Sequence, residues 1–290
     1  MLRVVEAAAN AMDHTLDRLL FSVSSVVGSS SEAMAQKRPK EAVSYAYLYP
    51  MALIHVRNAM EEVRSLTGYR IPNTPTLTLM RDVDPFTAAN YYKGVIRVLG
   101  HRNIRQHIIR HEVFHHAEDM YREQSGAANS EIDFIMKYSM STGECTQQVA
   151  CRASWLWNSI NESGSYLFQH SQAPDRQNGN AKQAKATLKN IEKFFGFGIE
   201  EAAPAVLRML WSPHMEMQEE ILLNGKFRAS ILPSTLIIGS IIYERNGFDI
   251  SRTLTQLLRP PQDTMAIIPF DSDEVAKSLG NVISLMRGSS

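Results

Sequence analysis

The segment His111-Glu112-Val113-Phe114-His115 holds the residues of this chain whose types and spacing are best suited to chemistry. In a helix, residues four apart lie one above the other on the same face. His111 and His115 can therefore aim two imidazoles at one cation, with Glu112 turned about 100° away. Zinc binding asks for that geometry. Ile104 and Ile108 extend the same stripe toward the N-terminus, which predicts that the histidines face inward. Imidazoles aimed into a protein interior must find partners there, and a shared cation would serve both. The alternative is an exposed or core helix that merely carries histidines. His116, about 100° further round, is expected to support the site or lie at the surface rather than bind metal.

These side chains need a rigid element beneath them, and the surrounding pattern supplies one. Asn103 is a good cap for a helix running to about Glu123, and it follows Tyr91 to Leu99, a stretch rich in β-branched and aromatic residues. With the alternating Thr76-Leu77-Thr78-Leu79, this stretch predicts two strands of a small antiparallel sheet. Upstream, helices are expected over residues 1–27, stopped by Gly28-Ser29-Ser30-Ser31, and from Glu41 to Thr67, closed by Gly68. Beyond Gly126 the pattern is helical. Helices are expected near 130–139, 141–161, 183–195, 200–211, 214–223, 229–246, 250–258 and 272–286, with a polar loop from Ser171 to Asn180. The expected fold is α+β and predominantly helical, a small antiparallel sheet and an active-site helix packed on a helical lobe. Its parts are an N-terminal helix and linker over 1–40, an α+β lobe over 41–128, and a helical lobe over 129–290.

Composition narrows the function. Thirty basic residues balance thirty acidic ones, so no net field recruits nucleic acid or an anionic membrane. An apolar content of 44% is ordinary for a globular chain and argues against disorder. Cys145 and Cys151 would point about 120° apart on a helix, which disfavours a disulfide. Low cysteine usage and an N-terminus without a basic stretch and apolar core lead us to expect a cytoplasmic protein. No apolar run approaches the roughly 18–20 residues that cross a bilayer.

A strand followed by a helix bearing His-Glu-x-x-His resembles the zincin metallopeptidases, in which an edge strand pairs with extended substrate. The resemblance is local, covering Tyr92 to Leu99, Asn103 to Glu123 and the next long helix. It implies that His111 and His115 bind zinc, that Glu112 is the general base, and that a third ligand comes from further along the chain. The branch with Gly at 118 and His at 121 is excluded, because this chain has Glu118 and Tyr121 there. Glu118 shares the ligand face, but three ligands on consecutive turns do not easily surround a tetrahedral ion. It is expected to accept hydrogen bonds behind the ligands or to lie at the surface. Glu131, Asp133, Glu144 and a distant histidine remain as third ligands. Glu144 is favoured, because it opens a long helix with small or apolar residues at 150, 151, 154 and 155 and so resembles the glutamate helix of the gluzincin branch. An acidic helix start favoured only by the macrodipole is the competing reading.

The expectation is a zinc-dependent metallopeptidase acting on a peptide or protein substrate, with Tyr92 to Leu99 aligning that substrate. Tyr166, His170, His214 and Tyr243 are candidate donors to the developing oxyanion. Tyr243 stands out because Tyr243-Glu244-Arg245-Asn246-Gly247 resembles a Tyr-x-x-x-Gly stretch that closes a late helix in several zincins; a plain capped helix is the competing reading. Two other functions fit the same residues, a zinc hydrolase of a non-peptide amide and a zincin-scaffold binding protein with little turnover.

Overall fold

The computed structural model describes residues 39–80, 88–100, 105–126, 134–136, 139–140, 147–171, 179–211, 231–259 and 272–288. The helices expected over 1–27 and 214–223, and most of the polar loop, lie outside these residues. The fold is α+β and predominantly helical. It divides into two units, residues 1–64 with 70–117 and residues 65–69 with 118–290.

In the first unit, helix α1 (Pro39–Thr67) turns Tyr49, Ala52, Val56, Ala59 and Val63 to one side at spacings of three and four, and all are buried. Gly68, at φ +73°, adopts the left-handed conformation that closes the helix. Three strands follow, β1 (Thr76–Met80), β2 (Ala89–Tyr92) and β3 (Val95–Leu99), in the order β1-β3-β2. β2 and β3 form a hairpin through Lys93 and Gly94, whose φ values of 45° and 79° suit a type I′ turn. β1 runs parallel to β3, from Thr76 opposite Val95 to Met80 opposite Leu99. The Tyr49 hydroxyl donates to the Leu77 carbonyl at 3.4 Å and ties α1 to β1.

The sheet departs from expectation in two ways. Tyr91 to Leu99 is two strands rather than one, because Gly94 permits a tight reversal inside an otherwise β-prone run. The sheet is also mixed, and β3 is its central strand, so the segment expected at the edge has a neighbour on both sides.

Helix α2 (Gln106–Gln124), which carries the histidine motif, runs on from the first unit into the second. The second unit contains α3 (Gln147–His170), α4 (Gly179–Phe195), α5 (Ile199–Trp211), α6 (Ile231–Arg245), α7 (Ile250–Leu257) and α8 (Ser272–Arg287). α6 is buried from Pro233 to Tyr243 and forms the centre of this unit, as a helix apolar on all sides must. α3 approaches it closely, and a Cβ placed on Gly239 would come within 3.2 Å of Ser163.

Serine makes this approach possible. Ser159 Oγ lies 2.7 Å from both the Trp155 carbonyl and Ser234 Oγ. Ser163 Oγ lies 2.6 Å from the Ser159 carbonyl and 3.0 Å from that of Thr235. The Ser159 and Ser163 hydroxyls are bonded within the helix and across to α6, and Asn161-Glu162-Ser163-Gly164-Ser165 continues α3 instead of ending it at 161; the buried Ser165 Oγ has no hydrogen-bond partner among the described residues. No helix among the described residues is long and apolar enough to cross a membrane.

Candidate metal centre

Around α2, His107, His111, His115, Glu118 and Arg122 fall within an arc of about 80°. The rest of the helix is packed, with Ile109, Val113, Phe114, His116 and Ala117 all fully buried. The histidine stripe itself is half-buried rather than turned inward. Ile108 is likewise half-buried, Ile104 lies outside the described residues, and it is Ile109 that enters the core.

The rings of His111 and His115 meet edge to face with centroids 4.9 Å apart. One ligand atom from each, together with a carboxylate oxygen of Glu162 on α3, lies within 4.8 Å of the others. Tetrahedral ligands held about 2.0–2.2 Å from zinc sit roughly 3.3–3.6 Å apart, closer than this limit. Two imidazoles and one carboxylate form a donor set that suits zinc and leaves a fourth position for solvent. Glu144, the favoured third ligand, lies outside the described residues, as do Glu131 and Asp133. Among the described residues the carboxylate that completes the cluster is Glu162.

Sequence reasoning passed over Glu162 because its neighbours look like a helix terminator. The signal against that was present. Ala153, Leu156, Ile160 and Leu167 keep a helical period across the serine and glycine run, and all four are buried.

Glu112 is 6% exposed, on the core side of the two histidines. His116 is buried too and holds the sheet to the helix. One ring nitrogen lies 2.7 Å from the Asn73 carbonyl, so Nε2–H is the donor, and Nδ1 accepts from the Tyr91 hydroxyl at 3.3 Å. The same hydroxyl accepts from Gly94 N at 2.8 Å, which connects the hairpin turn to α2. On the opposite flank Arg110 pairs with Glu62 of α1 at 2.7 Å. Burial raises the Glu62 pKa, and Arg110 offsets this in part.

His107 lies one turn before His111, and the sequence reading did not single it out. Burial lowers its pKa first, and the cations of Arg105 and Arg110 lower it further, so the ring is neutral at neutral pH. One turn beyond His115, Glu118 is buried as well and pairs with Arg122.

The candidate oxyanion donors fall in different places. Tyr243 is fully buried in the second unit, its ring edge-on to Phe248 at 5.8 Å. Burial holds its proton well above the usual phenol range. These surroundings make Tyr243 part of the core. Tyr166 is half-buried one turn after Glu162 on α3, edge-on to Phe195 at 4.7 Å, and His170 faces Phe194 at 5.1 Å. His214 lies outside the described residues. No protein family, curated protein or solved structure matches the chain.

Proposed function

We propose that this protein is a zinc-dependent hydrolase of peptide bonds, with the metal held by His111, His115 and Glu162. The observation that carries this reading is the convergence of those three side chains beside a buried Glu112. Bound there, zinc would polarise a substrate carbonyl and lower the pKa of a water toward neutrality. Glu112 takes the proton of the attacking water and passes it to the departing amine nitrogen, work that its position beside both histidines allows. An extended substrate would align on the outer edge of β2, where Asn90 and Tyr92 are exposed and no further strand pairs among the described residues.

The test is cleavage of a mixed library of quenched fluorescent peptides. Turnover should be abolished by 1,10-phenanthroline, restored by zinc, and lost in His111→Ala. Cleavage that persists in a His111→Ala, His115→Ala double variant would reject the assignment. Turnover of acyl amides in place of peptides would keep the metal centre and change the substrate.

A further inference from the structure

We infer that Arg122 is a positioning residue for this metal centre, fixing the rotation of α3 through Asn161 so that Glu162 is presented to the histidines of α2. The inference rests on the metal reading above. Arg122 is only 4% exposed, and its guanidinium meets three groups. Nη2 donates to Asn161 Oδ1 at 2.9 Å, Glu118 lies 3.4 Å away, and the Trp157 ring is 5.9 Å from the guanidinium carbon. Its Nε finds no acceptor among the described residues.

An apolar side chain would fill this space at lower desolvation cost, so the buried cation calls for an explanation other than stability. Directional bonding provides one. Trp157 and Asn161 are one turn apart on α3 and present a single face to Arg122, and rotating the helix by one residue, about 100°, would break both contacts. Glu162 is the next residue after Asn161, so its direction is set when that of Asn161 is set. Arg122 also engages Glu118, a carboxylate on the same face of α2 as the histidines. Held in that pair, Glu118 is kept back from acting as a competing oxygen ligand.

The experiment measures zinc affinity of the full chain by competition with a chromogenic chelator, and the visible spectrum of the cobalt-substituted form. Asn161→Ala should weaken zinc binding about tenfold, the lower end for residues that orient metal ligands. It should also alter the cobalt spectrum while the metal-free protein melts as wild type does. Asn161→Asp restores the acceptor and should restore affinity. Arg122→Lys keeps the charge near Glu118 but loses the planar fork, and should behave like Asn161→Ala. Should either variant melt early, affinity is compared at a temperature where both proteins are folded. Wild-type affinity and spectrum in Asn161→Ala would overturn the inference, and so would failure of Asn161→Asp to restore them. A wild-type chain that binds no zinc would instead overturn the metal centre itself, and this role with it.

Discussion

A carboxylate that binds a metal and one that moves a proton differ in what their loss removes. Glu162 is the proposed third ligand, so Glu162→Gln should weaken zinc affinity while leaving the fold intact, because the side chain is half-buried and its shape is kept. Glu144→Gln is the control and should bind zinc as wild type does; the reverse result in the same chelator competition would return the third position to Glu144. Glu112 lies on the same helix but points about 100° away from His111, toward the core. Glu112→Gln should therefore retain stoichiometric zinc, measured by elemental analysis, and lose turnover by about a hundredfold or more. Equal turnover in the variant would remove the proton-transfer role without touching the metal assignment.

The long helices and the motif helix were legible because their apolar periods are strong. Tyr49, Ala52, Val56, Ala59 and Val63 specify α1; Ile109, Val113 and Ala117 are the buried stripe of α2, whereas the expected inward stripe through Ile108 and the histidines is half-buried. Two features were hidden by local chemistry that tertiary packing overrides. The hairpin inside Tyr91 to Leu99 rests on a Lys-Gly turn set among β-formers, and α3 runs through a serine and glycine stretch that in isolation favours an end. Glu162 was lost with the second of these, since a helix ending at 161 leaves it in a loop. His116 shows how the hairpin is held against α2, through the Asn73 carbonyl and the Tyr91 hydroxyl that also receives Gly94 N. His116→Phe keeps an aromatic ring but leaves these buried polar groups without their partner, at a cost of about 1–3 kcal/mol. The expected readout is a lower melting temperature with faster amide exchange over residues 91–94. Unchanged exchange there would mean that the turn is held by its own backbone alone.

Across the whole molecule, equal numbers of acidic and basic residues leave no strong net field near neutrality, so pH dependence of stability rests on individual perturbed groups. His107 is one of them. Its folded pKa lies below the usual histidine value, first through burial and then through Arg105 and Arg110. Above the unfolded value the ring is neutral in both states and its contribution to stability is fully present. As pH falls through that value, the unfolded chain takes up a proton that the folded chain refuses, and the contribution is lost until the folded ring titrates as well. Glu62 of α1, which pairs with Arg110 on the helix that carries His107, works the other way, because its folded pKa is raised by burial. Its contribution is full below its unfolded pKa and fades as pH rises through the folded one. The two run in opposite directions with pH, so the difference between proteins is the informative quantity. Melting of the metal-free chain and of His107→Gln should be followed from pH 7.5 down to about pH 5 with chelator present, which keeps the metal ligands out of the linkage. The wild type should lose more stability than the variant over this interval, because glutamine has no proton to gain. Parallel curves would show that His107 titrates alike in the folded and unfolded states, and a steeper fall in the variant would show that the folded protein favours its charged form.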